Sequence, residues 1–149
     1  MVKRILVPLD TTVESETVLP LIADTARGAG ATVRLLHVAP PPRRVIGDDG
    51  HVVAYADQES ARLEAEALGY LDGVAPLLGG VAVERSVRFG DPVEEIVAEA
   101  DESDAATIAL TAGYHRSLGR VLRGGTARRV SRRTTRPVLV VRQPVWAAS

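Results

Sequence analysis

No cysteine occurs in the 149 residues, and only five are aromatic: three Tyr, one Trp and one Phe. Without thiols there can be no disulfide scaffold, no Cys-ligated zinc or iron–sulfur centre and no thiol nucleophile, a composition suited to a reducing cytoplasm. With so few rings, the core must be built from Val, Leu, Ile and Ala. Long apolar runs are missing too. The opening MVKRILVPLD is interrupted by Pro8 and Asp10, too early for a signal-peptide core, and no stretch nears the ~18 apolar residues of a membrane span. Familiar catalytic signatures are equally absent: no GxGxxG follows the first apolar run, and GxxxxGK[ST], HExxH and GxSxG do not occur. Asp10-Thr11-Thr12 lacks the second aspartate of an aspartate-nucleophile phosphatase. His37, His51 and His115 share no metal-ligand spacing, so no metal site is expected. No catalytic residue is assigned, and any enzymatic activity is expected to be at most weak nucleotide hydrolysis.

What is present fits one domain, residues 1–143, followed by a short tail, 144–149. The net charge of −1 hides a division. Residues 1–104 carry 9 Lys+Arg against all 19 Asp+Glu, a balance of −10, whereas residues 105–149 carry nine arginines and no acid. That final third is either a solvated basic helix face or an anion site, with phosphate the leading candidate.

Hydrophobic period alternates between strand and helix along the chain. Residues 4–9, 32–38, 105–110 and 138–141 read as buried strands, and Val81, Val83, Val87 and Phe89 mark another, with Arg85 as the exception. Between the first two strands, Thr11 or Thr12 can cap a helix in which Val18, Leu21, Ile22, Thr25 and Ala29 share a face and Pro20 produces a kink. A second helix spans 57–78. Asp91-Pro92-Val93-Glu94 is a helix start with N-cap, first-turn proline and capping-box glutamate. A last helix follows Gly124-Gly125-Thr126, with Arg128, Arg129, Arg132, Arg133 and Arg136 on its outer face. Residues 40–55 form a long connection, expected to be mobile or to fold over the binding crevice. The order βαβαβαβαβ predicts an α/β three-layer sandwich around a parallel sheet.

In such sheets ligands bind beyond the carboxyl ends of the strands, where strand order reverses. Asp10 stands at the end of the first strand; Leu110, Thr111 and Gly113 stand at the end of the fourth. Gly124, Gly125 and Thr126 open the last helix, whose free N–H groups favour an anion, and Arg116, Arg120 and Arg123 precede it. An ordinary capped helix after a loop explains the same residues equally well.

The blocks KRILVPLD, LLHV, GDPVEEIV and RPVLVV, in this order and spacing, resemble the universal stress protein family over essentially the whole chain. The resemblance implies a five-stranded parallel sheet in the order 3-2-1-4-5. It also implies a homodimer joined through the last strand, here Val138, Leu139, Val140 and Val141. Nucleotide-binding members carry Gly, two residues, Gly, nine residues, then Gly-Ser or Gly-Thr. Placing the third glycine on Gly124 puts Thr111 and Tyr114 in the first two glycine slots and Gly125 at the hydroxyl position. Shifting by one to use Gly125-Thr126 puts Ala112 and His115 there instead. By resemblance Asp10 faces the ribose and adenine, Pro8 and Val38 line the adenine slot, and Gly124 meets phosphate. A tyrosine at a left-handed glycine position would cost ~1–2 kcal/mol unless the loop takes another path.

Two functions follow. One is a stress-response sensor holding ATP or AMP, with magnesium only alongside ATP. The other is a dimeric interaction protein of the same family that binds no nucleotide. Nucleic-acid binding is disfavoured because aromatic side chains to stack bases are nearly absent.

Overall fold

A computed structural model describes residues 3–42, 45–46, 48, 50, 52–54, 56–114 and 125–142. Five strands form the main sheet: β1 (Arg4–Pro8), β2 (Thr32–Ala39), β5 (Val83–Phe89), β6 (Thr107–Thr111) and β7 (Val138–Val141). All are parallel, and their order is β5-β2-β1-β6-β7, the expected 3-2-1-4-5. β1 pairs with β2 from Arg4↔Thr32 to Pro8↔Leu36 and with β6 at Ile5↔Thr107 and Leu6↔Ile108. The reversal of strand order therefore lies between β1 and β6.

Strand residues alternate between two cores, as period-two geometry requires. Ile5, Val7, Val33, Leu35 and Ala109 pack under Leu19, Ile22, Ala26 and Leu71 of the helices on one face. Leu6, Leu36, Val38, Ile108 and Leu110 pack with Val93, Ile96 and Val130 on the other. Most of these side chains are aliphatic, and each fully buried Leu or Ile contributes about 1.5–3 kcal/mol.

The first helical segment differs from the expectation of one kinked helix. It is two helices, α1 (Val13–Glu16) and α2 (Leu19–Ala29), and Pro20 lies in the first turn of α2. A proline there loses no intrahelical hydrogen bond, so it starts a helix instead of bending one. The cap is Thr12, not Thr11: its hydroxyl accepts from the Ser15 amide at 3.2 Å. α3 (Ala56–Val74) runs into a 3-10 turn (Ala75–Leu78), where Pro76 cannot continue the α-helical hydrogen bonding. α4 (Pro92–Glu102) begins as its sequence predicts, with the Asp91 carboxylate accepting from the Glu94 amide at 3.1 Å. α5 spans Gly125–Arg133.

Within 40–55, β3 (Val45–Ile46) and β4 (Val52–Ala54) form a separate antiparallel pair. The segment is thus not wholly a loop. Its expected closure over the crevice falls in part on residues outside the described set.

One charged cluster links the sheet to α4. The Arg4 guanidinium donates to Glu84 Oε1 at 2.8 Å, and Arg34 bridges Glu84 at 3.0 Å and Glu99 at 3.4 Å. Arg88 joins Glu95 at 3.0 Å, Glu99 at 3.4 Å and Glu102 at 3.0 Å. The Glu99 carboxylate, 4% exposed, also accepts from Ser86 Oγ. Burial of that charge is tolerated because three donors hold it.

Candidate functional site

The carboxyl ends of β1 and β6 bring their following residues together. Pro8 closes β1 as a buried residue, and Leu9 and half-buried Asp10 follow. The Leu9 amide donates to Leu36 O at 2.8 Å, keeping the chain on β2 past the last strand residue. Leu9 O in turn accepts from His37 Nδ1 at 2.9 Å. A carbonyl only accepts, so this contact fixes the proton on Nδ1.

Asp10 is bound into its own turn. Its Oδ1 accepts from the Thr12 amide at 2.9 Å and from the Thr12 hydroxyl, and its amide donates to Ser15 Oγ at 3.2 Å. Between them Thr11 sits at φ +72°, a left-handed conformation that a β-branched residue adopts only under constraint.

On the β6 side, Leu110 is fully buried and Thr111 is 3% exposed. Thr111 Oγ1 accepts from the Gly113 amide at 3.1 Å, and Thr111 O accepts from the Tyr114 amide at 3.2 Å, so the rim turns sharply after β6. A Cβ on Gly113 would lie 3.6 Å from Glu14 Cβ. The two rims are therefore in contact, and the described part of this contact is acidic, with Asp10, Glu14 and Glu16 in the β1–α1 segment.

Tyr114 turns inward. It is 3% exposed and belongs to the same packed cluster as Val38, Leu110, Ala127 and Val130. Burial chiefly, then the Asp10 charge and Tyr70, push its phenol well above the ordinary value. Its backbone is not left-handed, since the non-glycine residues with positive φ are Thr11 and Asp104 among those described. The strain expected of a tyrosine in a left-handed glycine slot therefore does not arise at Tyr114. Gly125, at φ +52°, does need its glycine; nothing lies within 4 Å of where its Cβ would be, so the demand is conformational. Thr126 is half-buried at the start of α5. Arg120 and Gly124 lie outside the described residues, as do Arg116 and Arg123.

Sequence reasoning missed three contributors. Tyr70 of α3 donates to Glu16 Oε2 at 2.7 Å, and its ring meets His37 edge-on at 6.1 Å between centroids. Burial and then Glu16 raise the Tyr70 phenol, keeping it a neutral donor. This Glu16–Tyr70–His37 chain braces the segment carrying Asp10 from the α3 side. Only the fold reveals it, because the three residues come from separate elements with no shared spacing. No group of three or more His, Asp or Glu able to hold a metal ion occurs among the described residues.

The model of the universal stress protein family matches residues 1–142. The chain belongs to that family. Solved structures agree. Hypothetical protein MJ0577, the subject of a structure-based assignment of biochemical function, is 25% identical with a TM-score of 0.75, covering 97% of this chain and 99% of its own. A universal stress protein in complex with cAMP is 22% identical with a TM-score of 0.67, covering 96% and 98%. A universal stress protein from Archaeoglobus fulgidus in complex with dAMP is 20% identical with a TM-score of 0.59, covering 94% and 97%. No curated protein matches the chain by sequence. Among the described residues, no helix of this universal stress protein is long and apolar enough to cross a membrane.

Proposed function

We propose that this universal stress protein is a cytoplasmic stress-response signalling protein whose ligand is an adenine nucleotide, ATP or AMP, taken in the crevice between β1 and β6. The observation that carries this reading is the contact of the two rims, Gly113 against Glu14, directly beyond the strand-order reversal. Pro8, Val38 and Leu110 are the apolar residues for the base, and Asp10 is the acceptor for ribose hydroxyls. The Gly125 and Thr126 end of α5 is the donor group for phosphate, with Arg120 and Gly124 adjoining it in sequence. Relatives of the same fold in complex with cAMP and dAMP support the ligand class. Magnesium would accompany only ATP.

Affinity is expected to be low. With the Tyr114 backbone unstrained, two penalties remain: the displaced hydroxyl of the phosphate site, about 1.5–3 kcal/mol or roughly 10–150-fold, and displacement of the buried Tyr114 ring. Calorimetric titration with ATP and AMP tests the reading.

A second reading is a homodimer that binds no nucleotide. The burial of Tyr114 in the cluster that holds Val38 and Leu110 favours it, because the ring would have to leave before a base could enter. Its working surface would be β7, an edge strand on which Leu139 and Val140 are 38% and 39% exposed. An uncovered apolar edge invites pairing with a second copy. Sedimentation of the Val140→Lys variant tests this: the dimer should dissociate, and an unchanged dimer would refute the β7 contact.

A further inference from the structure

We infer that the outer face of α5 is a docking surface for the phosphate backbone of duplex DNA. Most described arginines are tied to carboxylates: Arg4 to Glu84, Arg62 to Glu59 and Glu66, Arg88 to Glu95 and Glu102, Arg136 to Asp101 and Asp104. Four are not. Arg128, Arg129, Arg132 and Arg133 are exposed and have no ion pair among the described residues. The sequence from residue 105 onward contains no acid, and the acids before it at Asp101 and Asp104 are paired with Arg136.

Helix geometry gathers these four charges. Ala127 and Val130 face the core, which leaves 128/132 and 129/133 as two adjoining i,i+4 columns on the outside. Four guanidinium groups spread over about 7.5 Å of helix axis are spaced ~2.5 Å apart on average. Duplex DNA presents one negative charge per ~1.7 Å with both strands counted and ~3.4 Å per strand, so the charge densities are comparable. A protein surface of scattered carboxylates offers no such density. The exposed positions of α5 are Gly125, Arg128, Arg129, Ser131, Arg132 and Arg133, with no apolar or aromatic side chain. Insertion into a bilayer and stacking on bases are thereby disfavoured. What remains is contact with backbone phosphates through the arginine fork, without reading of sequence. The scarcity of aromatics, which argues against base stacking, leaves this mode untouched.

Fluorescence anisotropy of a labelled DNA duplex of about 20 base pairs, titrated with the full chain at several salt concentrations, tests the assignment. Four phosphate contacts predict a log–log salt slope near −3.6, about a 150-fold loss of affinity between 50 and 200 mM salt. The Arg128→Gln/Arg132→Gln variant should halve that slope to about −1.8 while its circular dichroism stays that of the wild type. Arg62→Gln/Arg85→Gln, which removes arginines already paired with carboxylates, should bind as the wild type does. Absence of binding at 50 mM salt, a flat salt profile, or an unaltered slope in the α5 variant would overturn the assignment. So would displacement of the duplex by polyglutamate as effectively as by unlabelled DNA at equal charge, which would make the partner an acidic protein.

Discussion

Asp10 and Thr12 hold each other: Asp10 Oδ1 accepts from both the amide and the hydroxyl of Thr12, while Thr12 Oγ1 also accepts from the Ser15 amide to cap α1. One hydroxyl thus sets the orientation of the candidate ligand-binding carboxylate and the start of the helix behind it. Thr12→Val keeps the shape and removes both bonds. A loss of about 1–2 kcal/mol in urea denaturation is expected, from the cap and the charge-assisted bond together. A change below about 0.3 kcal/mol would show that neither bond contributes.

Thr11 stores strain next to this pair. At φ +72° a β-branched residue costs roughly 1–2 kcal/mol relative to glycine, partly offset by the unfolded-state entropy of glycine. Thr11→Gly should therefore raise the unfolding free energy by about 0.5–1 kcal/mol. A destabilised variant would mean the threonine side chain makes a contribution larger than its strain.

The Arg4–Glu84–Arg34 link gives acid sensitivity. The Arg4 hydrogen bond chiefly, with help from Arg34, holds the Glu84 carboxyl below its ordinary value of 4.5. A depressed folded-state value means the stabilisation is fully present above pH ~4.5 and is lost as pH falls through the lower, folded value. Glu84→Gln should be less stable than the wild type at pH 7, and the two should converge in acid below the depressed folded-state value. Denaturant midpoints measured at pH 7 and in acid check this, and a difference that persists unchanged into acid would contradict it.

Tyr114 is the residue to remove if the crevice is to open. Tyr114→Ala should cost about 3 kcal/mol in stability, as aromatic-to-alanine changes in cores do. It should also tighten AMP binding by about tenfold or more, because no ring need be displaced. A stable variant with unchanged AMP affinity would place the nucleotide elsewhere or nowhere.

The fold was legible because its signals are local. Asp91-Pro92 starts α4 where capping chemistry places it, and uncharged runs such as Val138–Val141 read directly as strands of a parallel sheet. Pro20 misled because helix-breaking and helix-starting prolines look alike until the preceding turn is seen to end at Thr17. The short β3–β4 pair escaped notice because two- and three-residue strands carry too few alternating positions to show a period. At the candidate site, Asp10, Thr111 and Gly113 could be placed from strand ends alone. The inward turn of Tyr114 could not, since it depends on the Thr111 hydroxyl and carbonyl closing the rim after β6. The Glu16–Tyr70–His37 chain likewise joins α1, α3 and β2, elements that only tertiary packing brings together.

Calorimetric titration of AMP and ATP into the wild type and into Asp10→Ala tests the central claim most directly. Saturable heat is expected for the wild type, weakened about tenfold or more by loss of the carboxylate proposed to accept the ribose hydroxyls. No heat at millimolar nucleotide, or equal binding by the variant, would contradict a nucleotide crevice at the junction of β1 and β6.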